Sequence, residues 1–239
     1  MRLYKSDLHI HTCLSPCAGE EMTPLNIVRG AKQCGLDIIG ICDHNSCENV
    51  PYIMKSAKRE GIWVTGGIEV TTREEVHILA YFEDEEKLFA MQAFIYENLP
   101  GTNDENYFGS QFVVNEKDEI IATNRHLLIG ATDLPIERVV ELIHSLNGLA
   151  IASHIDRKGF GILGQLGFVP AGLGLNGFEV SSKDKIDSFQ DTYRPLVTFS
   201  DAHRLVDIGR SSTDFIMADV NLEEMCKALR GVDGRRVKA

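Results

Sequence analysis

The chain has 239 residues, 44% hydrophobic and 25% charged, which suits one large α/β domain or two smaller ones and excludes a disordered or low-complexity polypeptide. Its formal net charge of −11 works against non-specific binding to a phosphate backbone, which calls for a basic footprint. A metal cluster can still hold a single anion locally in acidic surroundings.

In chain order, the apolar pattern predicts strands alternating with helices. A first strand covers about Leu3–His9, and Thr23-Pro24 opens a helix whose apolar positions Ile27, Val28, Ala31 and Cys34 run to a stop at Gly35. A strand at Asp37–Cys42, a helix at Val50–Glu60 and strands at Ile62–Ile68 and His77–Phe82 follow. The rhythm then breaks. Residues 83–130 read as an insertion, with a helix over Glu83–Asn98 and a β-hairpin over Gln111–Ala122. Regularity returns with a helix at Ile136–Leu146, a strand at Leu149–Ser153 and a glycine-rich loop through Gly159–Gly167. Strands at Gly177–Val180 and Leu196–Ser200 and a closing helix at Leu222–Leu229 complete the series. The expectation is one domain over residues 1–230, a parallel barrel, followed by a frayed tail at 231–239.

Residues with metal-ligand side chains stand at the ends of these apolar runs: His9, His11, His44, Glu69, His154, Asp201 and His203. In a parallel α/β protein such positions share one rim. In Asp7-Leu8-His9-Ile10-His11, two imidazoles two residues apart point to one face and can grip one metal. Asp7 and Asp43 flank histidines and are candidate acceptors that orient them. Glu69 follows Gly66-Gly67-Ile68, where a carboxylate can bridge two cations, and Ser200-Asp201-Ala202-His203 offers a carboxylate and an imidazole together. His77 fits less well, because it opens a strand where the others end one. His126 and His144 lie outside these motifs.

Taken in order, Asp-Leu-His-Ile-His-Thr, Asp-His, Gly-Ile-Glu-Val, Val-His-Ile-Leu, Ala-Ser-His and Ser-Asp-Ala-His resemble the motifs of the polymerase and histidinol phosphatase (PHP) superfamily, from about Leu3 to Gly209. The resemblance implies a distorted (β/α)7 TIM-like barrel, here with an inserted helix and β-hairpin, and up to three divalent metals at its C-terminal rim. By that resemblance His9, His11, Glu69 and Asp201 hold one metal, Glu69 bridges to a second held by His77 and His154, and His44 and His203 hold a third. Many members complete the third site with a histidine or aspartate shortly after the His-x-His. Here that stretch offers Cys17, as a thiolate ligand or as a small buried side chain, and Glu20. A thiolate would favour zinc or iron over magnesium, and zinc, manganese and iron are the candidate ions.

The expected activity is metal-dependent phosphoesterase chemistry on a small phosphorylated metabolite, with a metal-bridged hydroxide as nucleophile. Arg157 is the first candidate for the substrate phosphate, followed by Lys183, Arg204 and Arg210, and Asp201 or His203 is the candidate acid. A 3′–5′ exonuclease-type phosphodiesterase is the first rival, opposed by the acidic balance and the lack of a basic groove with stacking aromatics. A non-catalytic metal-binding regulatory module is the second, and hydrolysis of a C–N bond a minor third. Six cysteines without a CxxC pair, no apolar start with a cleavage site and no run near the ~18–20 apolar residues of a membrane span lead to the expectation of a cytoplasmic chain without membrane contact.

Overall fold

A computed structural model describes every residue except Arg194. The first half contains β1 (Arg2–Ile10), α1 (Pro24–Gln33), β2 (Ile38–Ile41), α2 (Val50–Lys58), β3 (Trp63–Thr71) and β4 (His77–Phe82). Thr23 enters α1 in extended backbone with Pro24 in the first helical turn, where the missing N–H is no loss. The insertion follows as α3 (Glu85–Glu97), α4 (Glu105–Phe108), β5 (Phe112–Val114) and β6 (Ile120–Thr123), the last two forming a separate antiparallel pair. Asp84 caps α3 by accepting from the Glu86 N–H. The second half runs α5 (Ile136–Ser145), β7 (Leu149–Ala152), α6 (Ile162–Leu166), β8 (Gly177–Glu179), α7 (Ile186–Phe189), β9 (Leu196–Val197), β10 (Thr213–Met217), α8 (Leu222–Arg230) and β11 (Arg236–Lys238).

Seven strands in the order β1-β2-β3-β4-β7-β8-β9 nearly close into a barrel. The seam is made beyond β9, where Ala202 N donates to His9 O (3.1 Å) and His11 N donates to Ala202 O (3.0 Å). Alternation along each strand separates two cores. Leu8, Ile38, Leu79, Tyr81, Leu149, Ile151 and Val197 share one cluster, whereas Ile39, Ile41, Ile78, Ala80, Ala150 and Ala152 pack with the helices in another. At Gly40 the barrel is tight: a Cβ there would stand 2.2 Å from Leu8 O.

The barrel is not wholly parallel, as the alternation of strands and helices had suggested. β4 runs antiparallel to both β3 and β7, while the β1-β2-β3 and β7-β8-β9 neighbours are parallel. Two strands were not anticipated. β10 pairs antiparallel with the first half of β1, and β11 pairs antiparallel with β10. The segment expected to fray at 231–239 is therefore tied into the sheet edge. Arg235 holds it with a bidentate grip on Glu224 of α8, both N–O distances being 2.9 Å. The expected glycine-rich loop contains the short helix α6. No helix among the described residues is long and apolar enough to cross a membrane.

Candidate metal centre

Each strand end contributes one or two side chains to a single buried cluster. β1 carries His9 and leads into His11, β2 leads into His44, β3 carries Glu69, β4 begins with His77, β7 leads into His154, and β9 leads into Asp201 and His203. Because β4 is reversed, its first residue lies at the rim where the other strands end, which explains His77. All eight expected ligand residues of the histidine, glutamate and aspartate set come together here.

The inner group is His9, His11, Glu69 and Asp201, whose candidate ligand atoms all lie within 4.8 Å of one another. His9 Nε2 stands 3.2 Å from His11 Nε2, 3.2 Å from Asp201 Oδ1 and 3.3 Å from Glu69 Oε1. His11 Nε2 stands 3.1 Å from Asp201 Oδ1 and 3.3 Å from Glu69 Oε2. Two ring nitrogens facing each other and the same two carboxylates cannot all be satisfied by one proton each. Spacings of 3.1–3.3 Å are the separations of ligand atoms that share one ion at roughly 2.0 Å, the length of a zinc–nitrogen bond.

Two further groups share members with it: His44, Glu69 and His77, and His11, His44 and His203. His77 Nδ1 lies 2.9 Å from Glu69 Oε1, and His44 Nδ1 lies 3.1 Å from Glu69 Oε2 without hydrogen-bond alignment. His154 Nε2 is 3.3 Å from Glu69 Oε1, while its Nδ1 is buried with no hydrogen-bond partner. The groups overlap: His44 lies with His203, as expected, and also with Glu69 and His77, while His154 is as near Glu69 as His9 and His11 are. Orphaned buried nitrogens and a donor set of six imidazoles and two carboxylates fit divalent cations of the zinc, manganese or iron type.

Buried carboxylates dominate the electrostatics. Burial opposes charge on His9 and His11, yet Asp201 and Glu69, with Glu179 for His9, raise both, His11 to about 9. For His44, burial and His11 oppose the charge, while Cys17 and Glu69 raise it to about 9. Glu69 and Asp201 are held well below the usual carboxylate range by these imidazoles in spite of burial. Burial takes His77 down to about 4, and burial with His11 takes His203 down to about 3. Asp201 is therefore ionised and His203 neutral near pH 7.

The support around the cluster is more informative than the sequence suggested. Asp7 does not orient an imidazole: it accepts from Ser200 N (2.9 Å) and Gly209 N (2.8 Å), and so fixes the loop that carries Asp201. Burial raises it to about 6. Asp43 accepts from Thr12 N, Thr12 Oγ1 and Ser15 Oγ, all at 2.7 Å, and Ser15 Oγ lies 2.9 Å from His11 Nδ1. It therefore orients His11 through a serine. Glu179, at the end of β8, was missed. Its carboxylate lies 3.1 Å from His9 Nδ1 and accepts from His154 N (3.0 Å). Ser153 Oγ is 3.0 Å from both Glu69 Oε1 and Glu179 Oε2, so one hydroxyl proton serves two buried carboxylates. A glutamate ending an apolar strand, as Glu69 lies in the last third of β3, was the available signal.

A cavity of about 280 Å³ opens over the cluster, lined by His44, Glu69, His77, His154, Asp201 and His203 with Cys17, Ile129, Arg157, Gly159 and Phe160. Cys17 is thus at the mouth beside His44, exposed and outside the three donor groups. Glu20 is exposed and takes no part in them. Arg157 reaches Asp201 Oδ2 at 2.5 Å and lines the cavity. Lys183, Arg204 and Arg210 are exposed and do not line it. Arg210 instead faces Asp207 at 3.7 Å. His126 stacks on Tyr96, and His144 Nε2 lies 2.9 Å from Gly174 O, both away from the cluster.

A nearly closed barrel thus carries at one rim a donor set suited to several metal ions. The PHP domain matches residues 7–166 of this chain, and the chain belongs to that family. An uncharacterized protein of Methanocaldococcus jannaschii is 36% identical over 80 residues, 29% of this chain and 46% of that one. The lesion-specific endonuclease PfuEndoQ of Pyrococcus furiosus superposes with a TM-score of 0.75 at 21% identity, over 99% of this chain and 58% of its own. An amidohydrolase of Chromobacterium violaceum, solved with bound sulfate, gives 0.57 at 18% identity over 85% and 89% of the two chains. The chain spans about half the length of the curated relative it matches.

Proposed function

We propose that the chain is a metal-dependent phosphoesterase acting on a small phosphate ester. The observation that carries this reading is Glu69, one buried carboxylate in contact distance of His9, His11, His44, His77 and His154. It joins two donor groups, the arrangement required to hold two cations close together. His9, His11 and Asp201 would hold one ion with Glu69, His44 and His77 a second, and His203 with His11 and His44 a third. Bound divalent cations supply Lewis acidity and lower the pKa of water at the site.

The remaining work falls to this chain. Glu179 and the Ser15–Asp43 pair hold the His9 and His11 rings in place. Arg157, reaching in from the mouth, places a guanidinium where a phosphoryl oxygen enters, and it exchanges Asp201 for substrate as it does so. The leaving oxygen takes its proton at the open side of the cavity, from solvent or from His203, the candidate acid that lines it. The absence of disulfides among six cysteines fits a reducing, cytoplasmic setting.

The test is hydrolysis of a panel of phosphate monoesters by protein reconstituted with manganese, zinc or iron(II), against a chelated control. Metal-dependent release of phosphate supports the reading, and equal rates in the chelated control refute it. A nucleic-acid phosphodiesterase is the second reading, favoured by the fold match over nearly the whole chain to a lesion endonuclease. The net charge of −11 opposes it. Cleavage of oligonucleotides in preference to every monoester would establish it instead.

A further inference from the structure

Two of the residues lining the cavity, Phe160 and Ile129, bring large apolar side chains to it. Phe160 is 41% exposed, an unusual state for a phenylalanine beside a polar cluster. Its φ is +62°, a conformation that ordinarily selects glycine or asparagine. The backbone there is fixed. Phe160 O accepts from His77 N at 2.9 Å, and a Cβ on the next residue, Gly161, would stand 2.5 Å from Arg157 O. The loop thus holds the Phe160 ring against His77, with centroids 4.5 Å apart and planes at 19°, and leaves the rest of the ring open. Packing alone does not call for a large aromatic side chain at a strained, exposed position.

Ile129 is placed with similar care. Asn45, next to His44 and wholly buried, donates through Nδ2 to both Leu128 O and Gly130 O at 2.8 Å. Its Oδ1 accepts from Thr71 N at 3.1 Å. One amide therefore ties the last segment of the insertion to the strand that carries Glu69, and Ile129 joins the cavity lining as a result.

We propose that Phe160 and Ile129 form an apolar subsite for the leaving group of the ester, and that this group carries a planar ring. The inference rests on the phosphoesterase reading for the position of the phosphoryl group. With that group at the imidazole and carboxylate cluster beside Arg157, the remainder of the substrate meets an aromatic face and a branched aliphatic side chain. A leaving group made only of a polyol or sugar would set hydroxyls against groups that cannot hydrogen-bond to them. A flat aromatic ring, whether aryl or nucleobase, stacks on the open face of Phe160.

The test uses non-hydrolysable probes, so that it does not depend on turnover. Calorimetric titration of the metal-loaded protein compares phenylphosphonate, cyclohexylphosphonate and methylphosphonate. Phenylphosphonate is expected to bind about tenfold or more tighter than methylphosphonate, and several-fold tighter than the equally large but non-planar cyclohexyl compound. In Phe160→Ala, with metal content and thermal midpoint checked, the phenyl-to-methyl ratio falls to within about twofold, and Ile129→Ala reduces it less. A ratio near one in the unaltered protein, or a ratio that survives Phe160→Ala, overturns the subsite. Equal phenyl and cyclohexyl affinities overturn the planar ring. Parallel turnover assays with phenyl phosphate and adenosine 5′-phosphate tell aryl from nucleoside sources. A phosphonate preference without any phosphate release would remove the phosphoesterase reading and leave the subsite standing.

Discussion

His77 Nδ1 lies 2.9 Å from Glu69 Oε1 although the two residues stand on strands that run in opposite directions. The reversal of β4 carries a strand-opening histidine to the rim where other strands end, and so completes the ring of donors around Glu69. That carboxylate is the joint of the cluster. Glu69→Gln keeps the size of the side chain and removes the shared charge. Metal analysis should show the variant retaining fewer than half the ions of the unaltered chain, with activity down at least ~1,000-fold. Full metal content in this variant would contradict the shared role.

Glu179 acts at one remove, through His9. Glu179→Gln should weaken metal binding by about 10–100-fold, the usual effect of losing a carboxylate behind a ligating histidine. Raising the metal concentration should then recover most of kcat. A loss of kcat that no metal concentration restores would instead place Glu179 in contact with substrate.

The imidazoles give the metal-free protein a defined pH dependence. His11 and His44 are raised from 6.5 to about 9 in the fold. Their protonation stabilises the metal-free fold fully below about pH 6.5, and that contribution is lost as pH rises toward 9. Glu69 and Asp201, lowered in the fold, are ionised in both states across this window and add no slope. The thermal midpoint of chelated protein should therefore fall between pH 6.5 and 8.5, while metal affinity rises over the same range because binding displaces those protons. Calorimetry in buffers of different ionisation enthalpy should record proton release on metal uptake, and none would refute the assignment.

Much of the centre was legible because strand ends are poor places for imidazoles and carboxylates without a task, and the residues at positions 9, 11, 44, 69, 154, 201 and 203 stand at such places. The reversal of β4 was also readable in principle. Only residues 72–76 separate β3 from β4, too few for the crossover that parallel strands require. Glu179 carried the same local mark, a carboxylate at a strand end, but its partner His9 is 170 positions away and nothing in the sequence ties the two together. β10 was missed because polar Thr213 and Asp214 open it, though Thr213, Phe215 and Met217 alternate with less buried neighbours. Arg157, placed first among the cations because it follows His154 closely, is the one of the four that lines the cavity, whereas Lys183, Arg204 and Arg210 follow their strands but face solvent.

The barrel's tightest contact gives a prediction about stability. Gly40→Ala sets a methyl group against Leu8 O, a backbone atom fixed between β1 and β2 and also bonded by Tyr81 Oη at 2.8 Å. The strain should cost roughly 3 kcal/mol or more, visible as a large drop in thermal midpoint or loss of soluble protein. A midpoint within a degree or two of the unaltered chain would show that the strands can separate there.

The central claim is that these distant donors meet in order to hold cations. Anomalous diffraction from crystals grown with zinc or manganese tests it most directly. A peak is expected about 2.0–2.3 Å from His9, His11, Glu69 and Asp201, with a second against His44 and His77 sharing Glu69. Maps without peaks at saturating metal, the side chains still bonded only to one another, would contradict it.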